Sequence, residues 1–179
     1  FDDPEEATSA VEVFKQEFHA AWSGRLRAKL GLNTTVVGDD DLIHDWLALM
    51  SNERADFTLS FRELGSVQRN ADTLPSRLND LFIDREALKA WGVRYQARLQ
   101  LEAQSDEARQ AKMNRVNPRF VLRNHLAQTA IESAQRGDFS EVQRLLDVLS
   151  HPYDECPQWA AYAGLPPSWA QDLEISCSS

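Results

Sequence analysis

Asn117-Pro118-Arg119-Phe120-Val121-Leu122-Arg123-Asn124-His125-Leu126-Ala127-Gln128, then Arg136-Gly137-Asp138-Phe139, then Ser140-Glu141-Val142-Gln143, reads as two helices and the turn between them. Proline suits the first turn of a helix, where its missing N–H costs nothing, so Asn117-Pro118 predicts a start. Leu122, Leu126, Ala130 and Ala134 then recur at a helical spacing until Gly137 interrupts. Ser140 followed three residues later by Gln143 is a capping-box pattern, and Val142, Leu145, Leu146 and Leu149 supply the next apolar face. The pair predicts an antiparallel helical hairpin, with each fully buried leucine contributing roughly 1.5–3 kcal/mol.

Working outward, the same periodicity fills most of the chain. Val11, Phe14, Phe18, Trp22 and Leu26 predict one buried stripe on a helix from about Pro4 to Leu30, ended by Gly31. Asp39-Asp40-Asp41 opens a second helix carrying Leu42, Ile43, Trp46, Leu47 and Met50. Three carboxylates invite a metal reading, but acidic residues at a helix start are better explained as caps, worth ~0.3–1 kcal/mol each. Phe57, Phe61 and Leu64 mark a short helix before Gly65, and Ser66 to Pro75 reads as a loop. A longer helix from about Asp84 places Leu88, Trp91, Tyr95 and Leu99 on one stripe, and Ser105 to Arg115 reads as a charged connector. After Ser150 the composition changes to a proline–aromatic strap with Pro152, Tyr153, Pro157, Trp159, Tyr162, Pro166, Pro167 and Trp169. No alternating run supports a sheet. The expected fold class is all-α, with a helical domain over residues 1–150 and the strap and tail over 151–179.

The 179 residues fit one domain or a domain's worth of a longer chain, and the start at Phe1 rather than Met favours the latter. No apolar run approaches the ~18 residues that cross a membrane, so neither a membrane partner nor a membrane location is expected. A net charge of −9 argues against a nucleic-acid partner. The charge is uneven: nine basic and five acidic residues between Asp84 and Arg123 make that stretch +4 and the remainder −13. Two cysteines, Cys156 and Cys177, make no disulfide framework and no zinc site.

Phosphate-cradling loops need glycines two or three apart, whereas the seven glycines here are never closer than seven residues. A kinase-type site needs Asp-Phe-Gly and a catalytic loop; Gly137-Asp138-Phe139 has the letters in another order. No catalytic residue and no metal ligand is therefore expected. Arg119, Arg123 and Asn124 are the candidate phosphate or polar contacts, the two arginines four apart on the helix expected after Pro118. They would either hold an anion near a cleft or satisfy backbone groups between helices. His125 beside the apolar stripe reads as a packed histidine, and Cys156 as chemically idle.

Asn117 to Gln128, Arg136 to Phe139, Leu165-Pro166-Pro167-Ser168-Trp169-Ala170 and the ending Glu174-Ile175-Ser176-Cys177-Ser178-Ser179 together closely resemble the C-terminal part of the selenoprotein O (YdiU) family. The resemblance runs over most of the chain and is densest from Asp84 onward. It implies the C-terminal helical region of a protein-kinase-like fold, in a protein adenylyltransferase that uses ATP and Mg²⁺ to move AMP onto Ser, Thr or Tyr hydroxyls of protein substrates. The family's nucleotide lysine, metal-holding Asn and Asp and catalytic Asp lie in upstream motifs with no match here. The resemblance thus implies an upstream kinase-like lobe as partner, with neither ATP nor Mg²⁺ held by this stretch alone. It also implies a redox role for Cys177, at the position where some members place selenocysteine, and an upstream cysteine that could pair with it. Cysteine there marks a bacterial-type, cytoplasmic member. The alternative is a non-catalytic α-helical protein-interaction module.

Overall fold

A computed structural model describes residues 4–170 and Leu173. Among the described residues the regular elements are all helical. They are α1 (Pro4–Lys29), α2 (Asp39–Glu53), α3 (Phe57–Leu64), α4 (Ser76–Asn79), α5 (Arg85–Leu99), α6 (Asp106–Val116), α7 (Asn124–Gln135) and α8 (Ser140–Ser150), followed by 3₁₀ turns at Pro157–Ala163 and Ser168–Ala170. The all-α class read from the sequence is the one observed. The chain divides into two compact units, Phe1–Val116 and Asn117–Ser179.

In the first unit the stripe of α5 behaves as read: Leu88, Trp91, Tyr95 and Leu99 are all buried. They meet α2 through an aromatic stack, with Trp46 and Trp91 centroids 4.3 Å apart and Trp91 and Tyr95 4.9 Å apart. Phe61 of α3 meets Trp46 edge-on at 6.2 Å, and Phe82 sits 5.4 Å from it. Offset and edge-on geometries suit the ring quadrupoles and add about 0.5–1.5 kcal/mol per pair beyond burial. The Trp91 indole N–H donates to the Leu42 carbonyl at 3.0 Å, so the polar atom of this buried ring is satisfied. Gly92 lies under Leu74, whose Cδ1 would stand 2.8 Å from any added Cβ. The expected connector is helical as α6, and it buries Arg109 and Met113.

Helix α1 departs from its expectation. Trp22 is half-buried and Leu26 and Leu30 are buried, but Val11, Phe14 and Phe18 are 51%, 67% and 59% exposed. Every residue from Thr8 to Ala21 is exposed. At 1.5 Å per residue those turns run about 20 Å beyond the body that buries Leu26. The periodicity correctly gave one apolar face, and only its C-terminal end has anything to pack on within this unit. Helix α1 closes at Gly31, whose φ of 72° is left-handed; an added Cβ would lie 2.7 Å from both Arg109 Cγ and Met113 Sδ.

In the second unit α7 and α8 pack on each other across a turn at Gly137, φ 85°. Pro118 does not open α7. The helix begins at Asn124, preceded by Arg123 in extended conformation (φ −94°, ψ 149°). The amides of Arg119 and Phe120 instead donate to the Pro152 carbonyl at 2.7 and 3.0 Å, and Phe120 is buried with its ring edge-on to Trp159 at 6.0 Å. The strap is thereby tied to residues 117–120, which is why the unit boundary precedes the hairpin rather than following the change of composition at His151. The seam is also narrower than read: Ala130, Leu145 and Val148 are buried, Leu126, Ala134 and Leu149 half-buried, and Leu122, Val142 and Leu146 exposed. A two-helix contact covers a narrower stripe than a full core does. The start of α8 is held by Asp138, whose carboxylate accepts from the Ser140 amide at 2.9 Å. The expected capping box is absent because Phe139, not Ser140, is the N-cap, and the Gln143 side chain donates to Asp147 at 3.2 Å instead of reaching back.

Candidate functional site

The residues singled out as phosphate contacts are not gathered on one helical face. Arg119 stands on irregular backbone ahead of α7, so its four-residue spacing from Arg123 has no helical meaning. Its guanidinium is paired with the Glu155 carboxylate of the strap and lies over the Phe120 ring, 5.8 Å from the centroid. The Asn124 side-chain amide donates to the Leu173 carbonyl at 2.9 Å. Gln128 donates to Glu132, one turn along α7, at 2.8 Å. His125 sits edge-on to Trp169 at 6.5 Å, and burial, with the nearby Arg123 charge, holds its imidazole below the usual histidine value. Cys156 is a half-buried free thiol preceding the first 3₁₀ turn. Cys177 lies outside the described residues.

The densest charged constellation lies in the first unit and was not foreseen. Arg98 of α5 donates from Nε to Asp39 Oδ1 at 2.6 Å and from Nη1 to Glu102 Oε1 at 2.9 Å. Its Nη2 reaches the Thr34 carbonyl at 2.8 Å. Glu102 also accepts from the Thr34 hydroxyl at 2.7 Å and amide at 3.2 Å, and Asp39 from the Val36 amide at 2.9 Å. Burial opposes the charge on Glu102, yet the bonds from Thr34 and Arg98 outweigh it and hold the carboxyl below the usual range. The capping expectation for Asp39 is thus corrected. Gly38 is the N-cap of α2, with no side-chain cap bond, and Asp39 is a buried ion-pair member that fixes the Thr34–Gly38 loop against α5. The i,i+4 spacing of Arg98 and Glu102 was the available signal.

Arg109 is fully buried beside it. It donates to the Leu64 carbonyl at 3.4 Å, to Tyr95 Oη at 3.3 Å and to the Val67 carbonyl, closing the end of α3. The Tyr95 hydroxyl in turn donates to the Leu30 carbonyl at 2.7 Å, and burial pushes that phenol up to about 12. Arg98 and Arg109 therefore bind backbone and carboxylates inside the fold.

The surface depressions of the first unit are poorly matched to a nucleotide. One of about 400 Å³ beside the start of α2 is lined by Asp39, Asp40 and Asp41 against Arg27 alone. Another, of about 280 Å³, sets Arg85 and Lys89 against Asp72 and Glu86. An acidic or balanced lining does not attract a polyphosphate. Among the described residues no group of three or more His, Cys, Asp or Glu could hold a metal ion. Neither of these two depressions offers ATP phosphates an excess of cationic donors, and the buried charges of Arg98, Asp39 and Glu102 serve the helix packing. No helix among the described residues is long and apolar enough to cross a membrane.

Comparison with known proteins sets the class. The chain is 52% identical over 175 residues to the protein nucleotidyltransferase YdiU of Paraburkholderia xenovorans, covering 98% of this chain and 34% of that relative. It is 49% identical over 175 residues to the namesake protein of Burkholderia thailandensis and 47% over 177 residues to that of Herminiimonas arsenicoxydans, covering 34% and 35% of those relatives and at least 98% of this chain. These are protein nucleotidyltransferases. A family model described as protein adenylyltransferase SelO matches residues 3–150, and the chain belongs to that family. It spans about a third of the length of the curated relatives it matches.

Proposed function

We propose that this chain is the helical supporting region of a longer protein adenylyltransferase. The complete protein transfers AMP from ATP, with Mg²⁺, to Ser, Thr or Tyr hydroxyls of other proteins. The nucleotide and metal are held by a kinase-like lobe formed by another part of the polypeptide. The observation that carries this reading is the family match over residues 3–150, combined with charged side chains that are turned inward. Arg98 and Arg109 are committed to Asp39, Glu102 and backbone carbonyls, and Arg119 to Glu155. Arg119 and Asn124 are accordingly read as fold-holding residues rather than phosphate contacts.

The role of this region is then to present rigid helix faces to the lobe and to carry a redox-responsive tail. At Cys177 a disulfide would form with a second thiol of the complete protein, the two thiols giving up two electrons and two protons to an oxidant such as peroxide. An unperturbed thiol titrates near ~8.5, so only a few per cent is thiolate at neutral pH and the response would be slow without a neighbouring cation.

The test is ligand-linked stability. ATP with Mg²⁺ should raise the melting temperature of the complete protein and leave that of this chain unchanged, because only a ligand that binds the native state stabilises it. A shift in this chain alone would place a nucleotide site within it and defeat the reading of the arginines.

A further inference from the structure

Ala7, Ala10, Val11, Phe14, Phe18 and Ala21 fall at i, i+3, i+4 spacings and lie on the same side of α1 as Trp22 and Leu26. Leu26 is in the core of the first unit, and Trp22 packs against that core. The stripe is therefore one continuous apolar face, filled at its C-terminal end and bare over Thr8–Ala21. Phe14 and Phe18 are stacked on each other, with centroids 6.0 Å apart and more than half of each residue exposed. The flanks of the same turns carry Glu12, Lys15 and Glu17, and the first two pair at 2.7 Å. An isolated helix of this length is marginal in water, so about four bare turns carrying two phenylalanines call for a partner on that face.

We infer that the Val11–Phe14–Phe18 face of α1 seats in an apolar groove of the same polypeptide, in the part outside these 179 residues. This names the contact by which the region joins the rest of its protein. It rests on the proposal that the chain is part of a longer polypeptide, and is independent of the transfer reaction. Two observations select that occupant over a second copy. The curated relatives are about three times as long as this chain, which supplies about a third of their length, so a covalently attached surface is present at an effective concentration of about millimolar. The bare face also continues one already buried in the first unit, as expected when a single helix bridges two bodies of one molecule.

The test uses the complete polypeptide with Phe14→p-benzoylphenylalanine, irradiated and mapped by mass spectrometry. The expected product runs at monomer mass and links position 14 to peptides outside this stretch. The same photoprobe replacing Val13, on the other side of the helix, should give markedly less of it. Adducts confined to these 179 residues, adducts at dimer mass, or no adduct would each overturn the inference. Hydrogen exchange of Thr8–Ala21 in the complete polypeptide provides a readout independent of the photoprobe. Protection on the order of tenfold or more should be lost in a Phe14→Glu/Phe18→Glu variant, and equal exchange in the two proteins would also overturn it. Neither measurement reads AMP transfer, so an inactive but correctly cross-linked protein would refute the transfer proposal alone.

Discussion

Replacing Arg98 by methionine removes the cation that Asp39 and Glu102 share and leaves two carboxylates inside the first unit. Arg98 is 7% exposed, Asp39 2% and Glu102 4%, so water cannot take over the lost bonds. Breaking a buried pair by removing one partner costs about 3–5 kcal/mol, because the remaining charge is uncompensated. For a unit of this size 1 kcal/mol corresponds to roughly 4 °C, so the melting temperature should fall by roughly 12–20 °C. The matched control is Arg94→Ala, which breaks a 2.5 Å pair with Asp45 in which both side chains are about half exposed. Exposed pairs contribute about 0–1 kcal/mol, so the control should move the melt by no more than roughly 4 °C. Replacing Asp39, Arg98 and Glu102 together by apolar residues should recover part of the loss. The amides of Thr34 and Val36 would still lose their acceptors, so recovery should be incomplete. The assay is thermal unfolding followed by far-ultraviolet circular dichroism. An Arg98→Met shift no larger than that of Arg94→Ala would refute the reasoning that these charges hold the Thr34–Gly38 loop to α5.

Acidification should act through the same carboxylate. Glu102 is held below its ordinary value of 4.5 in the folded state, so its contribution is complete above that value and is lost as pH falls through the lower folded value. Glu102→Gln should therefore flatten the stability–pH curve below 4.5, and an unchanged slope would contradict it. Gly31→Ala should cost at least about 1–2 kcal/mol from the left-handed backbone alone, more from contact with Arg109 and Met113, as read from denaturant midpoints. Trp46→Ala should cost about 3–5 kcal/mol, since the ring is fully buried among Phe61, Phe82 and Trp91. In the complete protein Cys177→Ser should abolish any oxidant-dependent change in activity, and a retained response would remove the tail from the redox proposal.

Helix periodicity was legible where the first unit surrounds a helix with core, and less so in the α7–α8 hairpin, whose apolar stripe was read wider than it is. The α5 stripe from Leu88 to Leu99 was read correctly for that reason, and α3 ends before Gly65 as expected, with Phe61 and Leu64 buried but Phe57 exposed. The α1 stripe was read correctly as a face and wrongly as buried, because hydrophobic spacing marks an apolar face and not whether the same 116 residues cover it. Pro118 misled because proline also suits extended backbone, and the partner for the following amides, the Pro152 carbonyl, lies more than thirty residues away. The Asp39–Arg98–Glu102 network shows the same limit: Asp39 has a good local explanation as a cap, and its actual partner is 59 residues on. For the candidate site, spacing placed Arg119 and Arg123 together only on the assumption of an unbroken helix.

The most direct measurement of the central proposal is AMP transfer from ATP labelled on its α-phosphate, with Mg²⁺, comparing the complete polypeptide with this chain alone. Label moved to protein hydroxyls by the complete polypeptide and not by this chain is the predicted result. Transfer by this chain alone, or no transfer by either, would contradict it.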